Sequence, residues 1–299
     1  MTSLTSLLKT THKGSYPAIS PSRPELSQVG RTVLITGGST GVGYAIARGF
    51  AQASASRIII SGRREEVLKA AVGKLVDDFP KVQFVGKQLD VADLQGTDEL
   101  WADLGRQGIT VDVLVLNASS PSHPQPILEA GFDKIWQDFI INVRTLLVFA
   151  EKFYKQPSEE KFLVNLSTMA IQDWNNIVPE IPGYGLTKSA GTLLIQQIAK
   201  DTSPKDMQVL SFHPGSILTE TVRRVMGNIS DSFDFDGYDF DDEDLCGHFA
   251  VWAASREAEF LHGRFMWAAW DVDELRKGEI RKLIDEETYY LQIGVKGLT

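Results

Sequence analysis

The chain has 299 residues, 43% of them hydrophobic and 23% charged, with a formal net charge of −9. That balance excludes a disordered chain, and the length allows a large core that needs no covalent staple. The acidic balance without any Lys/Arg run longer than a pair, the lack of an apolar run near the ~20 residues of a membrane span, and the single cysteine, Cys246, argue against nucleic-acid, membrane-spanning and disulfide-stapled classes in turn. Met1 to Thr11 lacks the long apolar stretch of a secretory signal, so a cytoplasmic protein is expected. No metal site is expected.

Residues 1–30 are rich in Ser, Thr and Pro, with Pro17, Pro21 and Pro24 closely spaced, and read as an extended arm. One domain is expected over 31–299. Short apolar runs follow at Thr32–Thr36, Arg57–Ser61, Val82–Val85, Val111–Leu116, Phe162–Leu166, Gln208–Phe212 and Gly263–Trp267. Near-continuous apolar runs of this length suit strands buried on both faces. Helix-length segments separate them, at Tyr44–Ala53, Glu65–Asp78, Thr97–Gln107, Phe132–Tyr154, Tyr184–Asp201 and Asp241–Ala254. Strand then helix, repeated, predicts an α/β fold with a doubly wound parallel sheet and helices on both faces. Ligands in such sheets sit beyond the carboxyl ends of the strands, so residues just after each strand are the candidates for chemistry.

After the first strand, Thr36-Gly37-Gly38-Ser39-Thr40-Gly41-Val42-Gly43 opens the first helix. Glycines allow a tight turn and close approach of a phosphate, and a helix N-terminus offers unpaired N–H groups with partial positive charge. The spacing is Gly-x-x-x-Gly-x-Gly. Near the start of the helix after the fifth strand, Tyr184 and Lys188 are four residues apart, which puts both on one helix face. The other six tyrosines lack a lysine at that spacing. Reducing a ketone leaves an alkoxide that must receive a proton. A phenol of ordinary pKa is a sluggish acid or base at neutral pH, and a nearby ammonium is expected to pull it down toward working pH.

The glycine turn and the Tyr184/Lys188 pair resemble the short-chain dehydrogenase/reductase family, in its compact single-domain branch, over roughly residues 31–270. The resemblance implies a seven-stranded sheet and an oxidoreductase that moves a hydride between NAD(H) or NADP(H) and a carbonyl or secondary alcohol. C=N or C=C reduction, or a non-catalytic cofactor-binding sensor or scaffold, are the alternatives on the same fold. The glycine turn, with Gly37, Ser39, Thr40, Gly41, Val42 and Gly43, would hold the cofactor. The second strand leads into Arg63 and Arg64 with no carboxylate, whereas NAD-preferring members usually carry an acid there, so NADP(H) is expected over NAD(H), with Arg63 the leading contact. Asp90 and Val91 resemble the pair at the adenine ring; Asp90 could otherwise cap the next helix.

Asn165-Leu166-Ser167-Thr168 resembles the family's Asn-x-Ser-Ser, with Thr168 at the position of the catalytic serine; Thr168 and Ser167 are both candidates to hold the substrate oxygen. Asn142 resembles the helix asparagine that anchors a water relay to the lysine. Asn117 and Ala118 match the family's Asn-Asn-Ala-Gly, where Ser119 replaces the glycine. Pro214, Gly215, Ile217 and Thr219 resemble the turn that meets the nicotinamide, and His213 before it is expected to be structural. Residues 216–244 are expected to form a substrate lid. Phe233, Phe235, Tyr238 and Phe240 within it suggest an apolar or aromatic small-molecule substrate. The segments around Tyr16–Ser27 and Trp270–Leu275 resemble fungal reductases linked to secondary metabolism. A homodimer or homotetramer is what the family resemblance implies.

Overall fold

The computed structural model describes residues 7–120, 124–158, 160–172, 181–229 and 234–294. Seven strands form one parallel sheet: β1 (Thr32–Ile35), β2 (Arg57–Gly62), β3 (Gln83–Gln88), β4 (Val113–Leu116), β5 (Phe162–Leu166), β6 (Gln208–His213) and β7 (Phe265–Trp267). Their spatial order is β3-β2-β1-β4-β5-β6-β7. Alternation within each strand splits the sheet's side chains between two cores. Val33, Ile35, Ile58, Ile60, Val113, Val115, Leu210 and Phe212 enter one; Leu34, Ile59, Leu114, Leu116, Leu163 and Val209 enter the other. Burial on both faces is why these runs are continuously apolar. The order turns back between β1 and β4, which opens a crevice beyond their carboxyl ends.

The flanking helices are α1 (Gly41–Gln52), α2 (Glu65–Asp78), α3 (Leu94–Arg106), α4 (Ile127–Phe139), α5 (Thr145–Tyr154), α6 (Pro182–Lys200), α7 (Glu220–Ile229), α8 (Glu243–Ala253), α9 (Val272–Leu275) and α10 (Gly278–Glu286). The single helix expected over Phe132–Tyr154 is corrected. It starts earlier, Gly131 interrupts α4 at φ 77°, and a π-turn at Ile140–Arg144 joins α4 to α5. The Thr145 hydroxyl donates to Ile140 O at 3.0 Å, five residues back, and to Val91 O at 3.2 Å, which holds the wider turn. Helices α7, α9 and α10 were not expected from the pattern. On α4, Leu128, Phe132 and Trp136 remain exposed.

Residues of the N-terminal arm are bound into the main core. Leu8, Tyr16, Ile19 and Leu26 are buried, and Pro17 and Pro24 each start a 3-10 turn. The Tyr16 hydroxyl donates to Trp270 O at 2.8 Å, His12 N donates to Ala269 O at 2.8 Å, and Arg23 pairs with Glu257 at 2.7 Å. The arm therefore lies along the segment that follows β7.

α8 is buried from Leu245 onward and packs against α1. The two backbones touch: a Cβ on Gly49 would lie 2.7 Å from Gly247 O, and one on Gly247 would lie 2.6 Å from Ala45 O. A backbone neighbour cannot rotate aside. Gly247→Ala is therefore expected to lower stability by about 1–3 kcal/mol despite alanine's better helix propensity. Chemical denaturation checks this, and an unchanged midpoint would mean that the helices can part freely.

Candidate active site

β1 ends at Ile35 and the chain turns through Gly37 (φ 66°) and Gly41 (φ 53°) into α1. The turn is closed by contacts that leave no space for side chains. A Cβ on Gly43 would lie 2.3 Å from Gly37 O and 2.5 Å from the Asn117 amide nitrogen; one on Gly41 would lie 2.9 Å from Thr219 Cγ2. Asn117, just past β4, donates through Nδ2 to Thr36 O and Gly37 O, both at 3.0 Å. The Thr36 hydroxyl accepts from Asn117 N at 3.0 Å and Ala118 N at 3.1 Å. Two strand ends are thus laced together at the crevice. Thr40, at the N-cap of α1, makes no side-chain bond to the helix, so the first-turn N–H groups are left open to the cleft.

A cleft of about 480 Å³ lies over this turn. Gly37, Ser39, Thr40, Gly41, Val42 and Gly43 form its floor, and Arg63, Arg64, Asp90, Val91, Asn117, Ala118 and Thr219 are in its walls. Arg63 and Arg64 are both exposed, directly after β2. Asp90 does not cap α3: its carboxylate accepts from Ala92 N at 2.9 Å, while Asp93 is the N-cap and accepts from Gln95 N. Ser119, where the family pattern has glycine, also lines the cleft. So does Arg224 on α7, a cation that no spacing rule in the sequence singled out; its position depends on α7 folding back from Thr219, whose hydroxyl accepts from Val222 N at 3.1 Å. The open helix N-terminus, the glycine floor and three guanidinium groups fit a long phosphate-bearing ligand.

Tyr184, Lys188 and Thr168 form a second cluster, beyond the carboxyl end of β5, and are not part of that cleft's lining. The Thr168 hydroxyl faces that of Tyr184 closely enough to favour the phenolate, and it accepts from Ala170 N at 3.2 Å. The Ser167 hydroxyl is turned away and shares a 2.6 Å bond with Thr192 of α6. Lys188 is buried and donates from Nζ to Leu166 O at 2.5 Å, with no carboxylate partner among the described residues. Burial pulls the Lys188 pKa down to about 8. Burial pushes the Tyr184 phenol above its ordinary value, opposed only by the Thr168 hydroxyl. Within the chain alone desolvation outweighs the ammonium, whose Nζ is turned to the Leu166 carbonyl.

Asn142, in the π-turn, connects the two clusters. Its Oδ1 accepts from Ser120 N at 3.0 Å at the cleft's edge, and its Nδ2 donates to Thr187 Oγ1 at 3.0 Å, next to Lys188 on α6. Among the described residues its side-chain hydrogen bonds go to Ser120 and Thr187, not to Lys188. Gly191 lets α6 come close, since a Cβ there would lie 2.3 Å from Asn142 O.

Of the four residues expected at the nicotinamide after β6, Pro214, Gly215 and Ile217 lie outside the cleft lining and Thr219 enters it. Gly215 (φ 98°) and Ser216 are held by Asp241, whose carboxylate accepts from Ser216 N at 2.6 Å. His213, the last residue of β6, is buried, sits edge-on to Trp267 with ring centroids 4.8 Å apart, and has an Nδ1 without a hydrogen-bond partner. Of the aromatic residues in 216–244, Phe235 lies under the Arg223 guanidinium and Tyr238 packs on Phe240; Phe233 lies outside the described residues, as do 173–180 of the loop before α6. Among the described residues no metal-binding cluster occurs and no helix is long and apolar enough to cross a membrane.

Residues 31–228 match the family described as short chain dehydrogenase. The chain is similar to the short chain dehydrogenase/reductase AacuD of Aspergillus aculeatus, 32% identical over 96% of this chain and 95% of the relative. A short chain dehydrogenase/reductase of Claviceps purpurea is 31% identical over 89% and 87%. Among solved structures, L-sorbose reductase from Gluconobacter frateurii, complexed with NADPH and L-sorbose, superposes with a TM-score of 0.71 at 22% identity, covering 81% of this chain and 96% of that one.

The burial of His213 has a consequence for stability. Its pKa is pulled down to about 3 by burial. The native imidazole therefore stays neutral where the unfolded one, near 6.5, takes up a proton, and stability is lost as pH falls through the interval between them. Over about pH 6 to 4, the wild type should lose about 1.4 kcal/mol per pH unit more than a His213→Phe variant, in urea titrations at several pH values. Equal slopes would show that His213 is solvated in the native state.

Proposed function

The chain belongs to the short chain dehydrogenase family, and from that premise we propose that it is an NADP(H)-dependent carbonyl reductase in which Tyr184 moves the proton. The observation that carries this is the hydroxyl pair Thr168–Tyr184, with the buried Lys188 one helical turn along α6, at the same end of the sheet as the glycine-floored cleft.

When bound, the nicotinamide supplies the hydride. The chain's own residues hold the substrate oxygen and deliver the proton. A carbonyl oxygen seated against Thr168 Oγ1 and Tyr184 Oη accepts a hydrogen bond from each. As that oxygen gains negative charge, Tyr184 Oη releases its proton to it. The phenol rests protonated, as the reductive direction requires, and the burial that raises its pKa has to be offset by the charge of Lys188 as the proton leaves. Of the two hydroxyl candidates, Thr168 is favoured because Ser167 is committed to Thr192. Lys188 favours the anionic forms through its charge, and Asn142 fixes the α6 start through Thr187.

In the same reading the first-turn N–H groups and Gly37, Ser39, Thr40, Gly41, Val42 and Gly43 bind the pyrophosphate. Arg63 and Arg64 bind the 2′-phosphate, Asp90 and Val91 flank the adenine, and Asn117, Ala118, Pro214, Gly215, Ile217 and Thr219 shape the nicotinamide end. Arg224 adds a third cation to the cleft. An uncharged apolar or aromatic carbonyl substrate, covered by the 216–244 segment as a lid, accords with the aromatic residues there. The exposed stripe of Leu128, Phe132 and Trp136 on α4 supports a homo-oligomer.

Tyr184→Phe is expected to lower kcat by roughly 10²–10⁴-fold on a panel of ketones while NADPH still binds, read by turnover and by nicotinamide fluorescence. A variant that keeps wild-type kcat would remove Tyr184 from the chemistry. Arg63→Ala is expected to raise KM for NADPH by about tenfold or more and leave KM for NADH nearly unchanged, because only the 2′-phosphate loses its charge-assisted bonds. Equal losses for both cofactors would refute the NADP(H) assignment.

A further inference from the structure

The turn after β6 is irregular backbone, and its shape is fixed from outside the sheet. Gly215 has φ 98°, a conformation that favours glycine, and so brings no side chain to the turn. Asp241 holds it. Its Oδ2 accepts from Ser216 N at 2.6 Å, its own N–H donates to Ser216 O at 3.0 Å, and a Cβ on Gly215 would lie 2.7 Å from that carboxylate oxygen. The carboxylate is almost fully enclosed, its side chain 10% exposed, in a segment that also carries Asp239, Asp242, Glu243 and Asp244. Such a charge needs a counter-ion.

The N-terminal arm provides it. Lys13 Nζ lies 3.3 Å from Asp241 Oδ1 and donates to Asp239 O at 2.7 Å, and Lys13 O accepts from Asp242 N at 2.7 Å. Two residues on, Ser15 Oγ shares a 2.6 Å bond with His248 Nδ1 of α8. Arg48, the other cation of this region, is committed to Glu243 and Asp244. Lys13 stands outside the family-matched residues 31–228.

We propose that Asp241 is a positioning residue for the Pro214–Ile217 turn and Lys13 its counter-charge, so that the arm forms part of the frame behind the cofactor's nicotinamide end. What the turn holds rests on the reading given under Proposed function; that the arm sets its shape does not. Removing the Lys13 charge leaves an enclosed carboxylate among like charges, and it then draws water and loosens its hold on Ser216 N–H. Removing the carboxylate frees the turn outright.

The test uses the full chain with Lys13→Met, Asp241→Ala and the double variant. Three measurements are made: amide hydrogen exchange over 214–218, affinities for NADPH and for 2′,5′-ADP (the adenine half, which cannot reach the turn), and kcat. Lys13→Met should speed exchange at Ser216 by about two- to fivefold, as befits a half-exposed ion pair. Asp241→Ala should speed it by about tenfold or more, because a charge-assisted bond to a backbone amide is lost. The two effects should not add, since both act through one carboxylate. NADPH affinity or kcat should fall with them while 2′,5′-ADP affinity stays within about twofold, as the adenine half binds independently of the turn. Unchanged exchange in both single variants overturns the proposal, as does a parallel loss of 2′,5′-ADP affinity and thermal stability. If Asp241→Ala does not fold, Lys13→Met decides alone, because its charge is on the surface. A wild type that binds NADPH but reduces no carbonyl would sink the proposed function, while the exchange data would still judge the role of the arm.

Discussion

The close contact of two backbones at the end of β1 is the constraint on which the site rests. Gly43 presses on Gly37 O, and the Asn117 amide sits on both Gly37 O and Thr36 O. Nothing larger than hydrogen fits at Gly43. That contact fixes where α1 begins, and so where its uncapped N–H groups point. It also ties β1 to β4, the pair at which the sheet order reverses. An anion site made of backbone N–H groups is only as rigid as the turn that presents them. Here the turn is held by bonds from a neighbouring strand rather than by its own residues.

From that point a chain of polar contacts runs to the cluster of Tyr184, Thr168 and Lys188. Ala118 leads to Ser120, Ser120 pairs with Asn142, Asn142 bonds to Thr187, and Thr187 precedes Lys188. The π-turn is what brings Asn142 into reach of both sides. An ordinary α-helical register there would rotate the amide away from one partner. Distance between the glycine-floored cleft and the Tyr184–Thr168 pair is thus set by buried and partly buried hydrogen bonds, which cost more to break than exposed ones.

The seven strands and the main glycine turn were legible in the sequence because both-face burial leaves unbroken apolar runs and because Gly-x-x-x-Gly-x-Gly follows one of them. Three things were not. The helix read over Phe132–Tyr154 hid its π-turn, since apolar periodicity does not register one extra residue in a turn. α7 lies inside the segment expected to be a lid, where Val222, Val225, Met226 and Ile229 recur at helical spacing among the acidic and aromatic residues, and Arg224 is carried with it. Asp241 was lost in an acidic run; its value comes from one backbone N–H 25 residues earlier. Residue types were readable, but their partners across the chain were not.

The same limit explains the Tyr184 pKa. Spacing alone puts a phenol and an amine on one helix face and invites a Coulombic account. Burial acts on both groups first. It disfavours phenolate and ammonium alike, so the phenol rests neutral while Lys188, brought to about 8, is still mainly an ammonium at neutral pH. A negative oxygen forming beside Thr168 changes that balance. The ammonium then has a charge to answer, and the phenol has a base stronger than water within reach. The charges become complementary only as the reaction proceeds, which is the condition for stabilising a transition state more than a ground state. A lysine already paired with a carboxylate would have spent that interaction in advance, and Lys188, which among the described residues bonds only to the Leu166 carbonyl, has not.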